Sequence, residues 1–184
     1  RLDSCIPESI FETNYTIIKN ESTSLIEYAA FYGSDQIFKY LYKNGVELTT
    51  ELIKYAIHGE NAEIIRTLEE QGIINNANTL ICIKESIKCH HNDITNYFIN
   101  NFISDIKQTI NIEEDFKNNL ISYCFQYYNF SFYPEEKVCY KYLFFYACEY
   151  DYFQIFYYLF RSGMININEK IIQNINFIES KFHF

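Results

Sequence analysis

The chain has 184 residues, of which 48% are hydrophobic and 21% are charged, and its formal net charge is −9. This apolar content is enough for a packed core, so the composition excludes an intrinsically disordered chain. The acidic balance disfavours a nucleic-acid reader, which usually carries a basic stripe, and we expect no nucleic-acid partner. No stretch is long and apolar enough for a membrane span, and residues 1–20 carry no secretory signal, so we expect an intracellular, cytoplasmic protein.

One residue pattern occurs three times, at residues 24–47, 50–74 and 142–168. The second copy follows the first at a shift of 27 positions and the last copy at a shift of 118. A weaker third copy, over residues 80–102, follows the second at a shift of 30. Each copy is too short to bury its own apolar faces, so we expect the copies to stack. The shared positions include Tyr28/Tyr55/Tyr146, Ala29/Ala56/Ala147, Leu41/Leu68/Leu159 and Gly45/Gly72/Gly163, and the third copy matches the second through Glu85, Ser86 and Phe98.

In chain order, residues 1–23 are expected to be a loop or the remnant of a preceding repeat. The repeat array covers residues 24–168 and is degenerate at 103–141. There we predict a helix from Glu113 to Tyr128, because its acidic start suits the positive end of the helix dipole, followed by an irregular turn. Residues 169–184 are expected to be a truncated C-terminal extension. The predicted helix pairs are 24–32 with 35–44, 51–58 with 61–71, 80–89 with 92–102, and 135–150 with 152–162.

All five glycines mark turns in this pattern. Gly33 and Gly59 fall between the two helices of a copy. Gly45, Gly72 and Gly163 fall just after the second helix, where a left-handed residue often ends a helix. Because a positive φ costs other residues about 1–2 kcal/mol, the sequence predicts that glycine is placed where φ is positive.

The second helix of each copy carries a narrow apolar stripe at positions i, i+1 and i+4, with polar residues opposite. This spacing predicts a surface helix with one buried face. Small residues at the centre of the first helix should let neighbouring helices approach closely. The stripes are Ile37/Phe38/Leu41, Ile64/Ile65/Leu68 and Ile155/Phe156/Leu159, and the small residues are Ala29, Ala30, Ala56, Ser86 and Ala147.

The segment from Ser24 to Val46 reads SLIEYAAFYGSDQIFKYLYKNGV and resembles an ankyrin repeat, whose pattern is TPLHxAAxxGHxxIVxxLLxxGA. The phrase LIEYAAFYGS is similar to the divergent ankyrin proteins of some protists, which are grouped as a domain of unknown function. The copies depart from the family at their start, where TPLH is replaced by SLIE, and at Phe102, which stands where a glycine would close the third copy.

The resemblance covers residues 24–168 and implies an all-α fold, an irregular α-solenoid of stacked ankyrin-like helix pairs. The first two copies are 27 residues apart. Ankyrin repeats are about 33 residues long, so the shorter spacing leaves no room for β-hairpin fingers between the copies.

In ankyrin proteins the inner helices line a concave binding face, so the resemblance implies a non-catalytic protein–protein interaction module. Its partner would be a protein of unknown identity, and no cofactor is expected. Tyrosine suits such a face because it offers a large contact area at low entropic cost. We expect Tyr28, Phe31, Tyr55 and Tyr146 to be partly exposed along one strip. The candidate partner-binding residues are Tyr28, Phe31, Tyr32, Tyr55, His58, Lys88, Tyr146, Glu149 and Tyr150.

Cys82, Cys89, His90 and His91 form the sequence cluster whose residue types suit zinc. Zinc needs ligands that converge tetrahedrally, whereas successive residues of a helix point about 100° apart, so we predict no metal there. The six cysteines show no disulfide spacing and are expected to be reduced. Two other function classes remain open: a helical-repeat nucleic-acid binder, and an enzyme of unrecognised type with Cys89 or Cys148 as nucleophile.

Overall fold

The computed structural model describes residues 2, 4–6, 12–14, 17, 23–102, 110–134 and 140–165, with the backbone alone at 110–114. These residues form nine α-helices and one 3₁₀ helix and contain no β-strand, so the fold is all-α. The one β-type contact among them is an isolated antiparallel bridge between Cys5 and Ser24. The helices are α1 (Leu25–Phe31), α2 (Asp35–Lys43), α3 (Leu52–His58), α4 (Ala62–Glu70), α5 (Thr79–Lys88), α6 (Asn92–Phe102), α7 (Ile110–Tyr127), the 3₁₀ helix (Phe130–Phe132), α8 (Tyr140–Glu149) and α9 (Phe153–Arg161).

The three predicted helix pairs between residues 24 and 102 are confirmed, and polar side chains set where two of the helices begin. At the start of α1, the Ser24 hydroxyl accepts from the Glu27 amide at 3.4 Å, and the Glu27 carboxylate accepts from the Ser24 amide at 2.7 Å. This reciprocal capping box satisfies donors that a helix leaves open at its start. Asn61 does the same for α4, since its side chain accepts from the amide of Ile64 at 3.2 Å.

The later elements agree with the prediction in kind and differ in their bounds. α7 begins at Ile110 and ends at Tyr127, and is therefore longer than predicted at its start. The predicted helix start at residue 135 lies outside the described residues, within which α8 begins at Tyr140. Most of 1–23 and all of 169–184 also lie outside them. None of the described helices is long and apolar enough to cross a bilayer.

A residue with positive φ joins the two helices of each copy. These residues are Gly33, Glu60, His90 and Asp151, with φ of 62°, 51°, 59° and 58°. In three copies the next residue donates its amide to a carbonyl of the first helix, as in a Schellman turn. The repeated bonds run from Ser34 N to Ala29 O at 2.8 Å, from His91 N to Ser86 O at 3.0 Å, and from Tyr152 N to Ala147 O at 2.8 Å.

The end of α7 takes the same form, although the sequence there fits the pattern poorly. Tyr128 has a φ of 57°, and the Asn129 amide donates to the Cys124 carbonyl at 3.2 Å. The 3₁₀ helix then stands where the second helix of a copy would follow. Residues 117–134 therefore retain the turn of the repeat without its second α-helix.

The glycine prediction is confirmed at four positions, Gly33 among them, and wrong at one. Gly45, Gly72 and Gly163 have φ of 88°, 72° and 68°. Gly59 has a φ of −74°, which any residue can adopt. A Cβ atom at Gly59 would lie 2.0 Å from the Ala30 carbonyl oxygen. Glycine is needed there because the first two copies touch backbone to backbone, not because φ is positive.

The chain divides into two compact units, residues 1–116 and 117–184. In the first unit, α1 packs against α2 and α3, α3 packs against α4 and α5, and α5 packs against α6. The first helices of consecutive copies therefore lie side by side, and the predicted small residues at their centres are buried. The largest fully buried side chains of this unit are Phe38, Leu52, Ile53, Ile57, Ile64, Leu68, Ile83, Ile87 and Phe98.

The apolar stripe of the first copy is less buried than predicted. Phe38 and Leu41 lie in the core, but Ile37 is 57% exposed. The matching residue of the second copy, Ile64, is fully buried. α4 packs along α2, the second helix of the preceding copy, whereas the described residues include no earlier copy whose second helix could cover α2.

In the second unit, α8 packs against α9. Ile121, Phe125, Tyr146 and Ala147 form the core of this unit. The ring of Phe125 meets that of Tyr152 edge-on at 4.9 Å, and the Tyr152 hydroxyl donates to the Phe125 carbonyl at 2.9 Å. Aromatic residues supply this core because each buries a large area, and the hydroxyl of Tyr152 finds a partner inside it.

Candidate functional site

Two positions of the first helix decide how neighbouring copies meet in the first unit. They lie one helical turn apart, so their side chains share one face of the helix. We name them the tyrosine position and the following position. In successive copies the tyrosine position holds Tyr28, Tyr55 and Glu85, and the following position holds Phe31, His58 and Lys88.

The following position of one copy contacts the tyrosine position of the next. Between the first and second copies, the rings of Phe31 and Tyr55 meet edge-on with centroids 6.5 Å apart. Between the second and third copies, His58 Nε2 lies 3.1 Å from Glu85 Oε1. The same junction is therefore aromatic in one place and ionic in the next.

Glu85 is a buried carboxylate held by two basic side chains. It is 8% exposed, and Lys88 Nζ lies 2.6 Å from the same oxygen that faces His58. Burial alone would raise the pKa of the Glu85 carboxyl, but the hydrogen bonds and charges of His58 and Lys88 outweigh it, and the pKa lies below its usual range. Glu85 is therefore ionised at neutral pH, and His58 Nε2 must carry a hydrogen to face it.

The Cys89 thiol completes the group, but it does not form a nucleophile–base pair with His58. Its sulfur lies 3.4 Å from Nδ1 and 3.5 Å from Nε2 of His58. An atom nearly equidistant from both nitrogens lies along the lone-pair direction of neither. Burial and the nearby Glu85 carboxylate raise the pKa of Cys89 to about 12, so the thiol is protonated at neutral pH, whereas the thiolate is the reactive form.

His58 itself is held between the copies. The ring of Phe31 packs on the imidazole with centroids 5.2 Å apart and planes inclined by 30°. The imidazole also contacts Glu85 and Cys89, and the His58 side chain is therefore only 19% exposed. The group thus joins α1, α3 and the end of α5.

Cys89 does not share a site with the other residues of the sequence cluster, Cys82, His90 and His91. It lies instead beside His58 and Glu85. Cys82 is fully buried in α5, while His90 is exposed at the left-handed position of the turn. His91 Nδ1 lies 3.4 Å from a Glu60 oxygen. Among the described residues, the one group of three His, Cys or acidic side chains with donor atoms within 4.8 Å of one another is His58, Glu85 and Cys89.

Sequence reasoning missed this group because its members come from two copies. The signal was present in the alignment: Glu85 is an acid where the other copies have tyrosine, and it follows His58 by 27 residues. A charged residue in a slot that is otherwise apolar requires partners, since unpaired burial of a charge is costly.

The predicted exposure of the aromatic strip is wrong for three of its four residues. Phe31, Tyr55 and Tyr146 are buried, at 9%, 3% and 5% exposure. Phe31 and Tyr55 cover each other, because the first helices of neighbouring copies pack through these two side chains. Tyr146 is covered in the second unit by Phe125, Phe145 and Tyr150, and burial raises its pKa to about 12.

The other candidate partner-binding residues keep part of their surface. Tyr32 is 52% exposed, and Lys88 and Glu149 are also exposed. Tyr28, His58 and Tyr150 are half-buried. The Tyr28 hydroxyl donates to Glu12 at 3.2 Å, and the Tyr32 hydroxyl approaches the same carboxylate at 3.4 Å.

The second cysteine considered as a nucleophile, Cys148, lies in α8 and is exposed. Partial burial raises its pKa above the usual range of a thiol. Neither Cys89 nor Cys148 therefore stands in an environment that favours the thiolate.

Comparison of the chain with protein-family models, curated proteins and solved structures finds no match. The resemblance to ankyrin repeats rests on the residue pattern and stays a prediction.

Proposed function

We propose that the chain is a non-catalytic protein–protein interaction module, an ankyrin-like repeat scaffold arranged as an α-solenoid. The repeated junction carries this proposal: Phe31 meets Tyr55 and His58 meets Glu85 through the same pair of positions. A fold assembled through repeated junctions presents equivalent side chains in a row, and such rows form extended binding surfaces in repeat proteins.

The binding surface that we propose lies at the ends of the first helices, beside the turns. Tyr32 and Lys88 are exposed there, and His58 keeps an accessible edge. Phe31 and Tyr55 are buried, and in this proposal they hold His58 in place rather than contact the partner. Glu149 and Tyr150 occupy the equivalent end of α8 in the second unit and are considered separately from this row.

The state of the thiols disfavours the alternative of an enzyme with a cysteine nucleophile. Burial raises the pKa of Cys82, Cys89 and Cys124 to about 12, and it raises the pKa of Cys148 as well. Protonated thiols are weak nucleophiles, so these four cysteines do not fit that role, and the fully buried Cys82 and Cys124 are explained by packing.

A capture experiment with matched tyrosine variants tests the proposed surface. Tyr32 is 52% exposed beside the turn, and Tyr40 is 60% exposed on the second helix of the same copy. We expect Tyr32→Ser to lose a nuclease-resistant protein partner from the native cell extract, while Tyr40→Ser retains it. Both variants should melt close to the parent.

Equal capture by the parent and Tyr32→Ser would contradict the proposed surface. Loss of the partner after nuclease treatment, with RNA bound in a gel-shift assay, would instead favour a nucleic-acid binder. Loss of capture together with a large fall in melting temperature would show that Tyr32 acts through the fold.

A further inference from the structure

The group between α3 and α5 brings together donor atoms of three different kinds. His58 supplies an imidazole nitrogen, Glu85 a carboxylate oxygen and Cys89 a sulfur, and these donors lie within 4.8 Å of one another. We propose that these three side chains form a binding site for one divalent metal ion of borderline softness, with Zn²⁺ as the ion that fits best. The site includes His58, which also borders the proposed binding surface, but metal binding does not depend on whether that surface binds a partner.

The donor types favour zinc over the other common divalent ions. Calcium and magnesium prefer all-oxygen sites, whereas sulfur, nitrogen and oxygen together suit zinc. With zinc bonds of about 2.0–2.3 Å, tetrahedral ligands lie roughly 3.3–3.6 Å apart. Here Nε2 and Oε1 are 3.1 Å apart, and Sγ and Nε2 are 3.5 Å apart.

The backbone holds the three donors on two packed helices. His58 ends α3, Glu85 lies in the last turns of α5, and Cys89 follows the end of α5 directly. α3 and α5 pack against each other, so the donors come together without a loop having to close. Three protein ligands leave the fourth position of a tetrahedral ion for water or a ligand.

Three local changes accompany binding. The imidazole turns and binds as the neutral tautomer that carries its hydrogen on Nδ1, so that Nε2 gives up its hydrogen through solvent and its lone pair points between Oε1 and Sγ. The Cys89 thiol releases its proton to solvent and bonds the ion as a thiolate. The Lys88 ammonium, now 2.6 Å from Glu85 Oε1, moves away. Its side chain is 39% exposed, so it can swing into water.

Binding is tested on the reduced full chain by calorimetric titration with Zn²⁺ and by absorption with Co²⁺, which reports thiolate ligation as a charge-transfer band. One ion per chain is expected. Cys89→Ser, His58→Gln and Glu85→Gln should each weaken binding by at least about tenfold, because even residues that only orient a ligand contribute about 10–100-fold. The controls His90→Asn and Cys148→Ser should bind like the parent.

Lys88→Met provides a variant that should gain affinity, since it removes the cation that competes for Glu85. Weaker binding by Lys88→Met would overturn the assignment of Glu85 as a ligand. Absence of stoichiometric binding, or equal loss in the His90→Asn control, would overturn the site itself. If a ligand variant does not fold, the parent spectrum decides, because a Co²⁺ complex without a thiolate band contradicts the proposal.

Discussion

Replacing Gly59 by alanine tests the backbone contact between the first two copies. Local conformation alone predicts a gain: φ is −74°, and Gly→Ala at a compatible site stabilises by about 0.4–1 kcal/mol. The neighbouring copy reverses the sign, because the new Cβ would lie 2.0 Å from the Ala30 carbonyl oxygen and 2.8 Å from the Gly33 amide nitrogen. Both are backbone atoms, so α1 and α3 must separate. We expect a loss of at least about 3 kcal/mol, the upper part of the range for overpacking.

Urea denaturation measures this loss directly. With a slope of about 2 kcal/mol per M, a loss of 3 kcal/mol lowers the midpoint by about 1.5 M. Gly72→Ala is the matched control: a Cβ there meets no atom within 4 Å, and φ is +72°. Its cost should be the left-handed penalty alone, about 1–2 kcal/mol. If Gly59→Ala proves as stable as the parent, or more so, the close approach of the two copies is wrong.

Three further outcomes follow from burial and charge. Leu68 is fully buried, so Leu68→Ala should lower the free energy of unfolding by about 2–5 kcal/mol, and an unchanged melting temperature would place it outside the core. Burial alone would raise the pKa of the Glu85 carboxyl, but its hydrogen bonds and ion pairs outweigh burial and lower the pKa. Ionised Glu85 therefore stabilises the fold above the usual value of 4.5, and this stabilisation is lost as pH falls through the folded-state pKa. The urea midpoint should thus fall more steeply on acidification in the parent than in Glu85→Gln, and parallel curves would contradict this. Because burial raises the pKa of Cys82, Cys89 and Cys124 to about 12, a thiol reagent should label them more slowly in the folded chain than in urea, and faster labelling of any one would show an activated thiol.

The helices could be predicted because each is specified by nearby residues. α1 follows the Ser24–Glu27 capping box, and α4 follows the capping side chain of Asn61. In the structure, Glu60 and His90 occupy the left-handed position that Gly33 occupies in the first copy, so the copies also agree at this turn. Periodicity and capping act within one or two turns, so one sequence contains them in full.

Exposure could not be predicted in the same way, because it depends on what the next copy places opposite. Tyr55 carries no local sign of burial, and it is buried because Phe31 of the preceding copy covers it. Gly59 looked like a left-handed residue, but its role comes from the Ala30 carbonyl of another helix. The alignment shows which residues share a position but not which positions face each other, and that information enters only with helix packing.

Once the facing positions are known, the change from tyrosine to Glu85 acquires a physical meaning. At the first junction Phe31 packs on Tyr55, and this contact does little to select which copy is the neighbour, since either ring could pack on another apolar side chain. At the second, Glu85 requires the imidazole of His58 as well as the ammonium of Lys88. If the third copy docked on the first, Glu85 would face Phe31, and breaking a buried pair in this way costs about 3–5 kcal/mol. A buried ion pair adds little net stability against an apolar replacement, but it penalises the wrong neighbour. We therefore expect the ionic junction to favour the native order of the copies, which gives a physical reason for a charged residue in a position that holds tyrosine in the other copies.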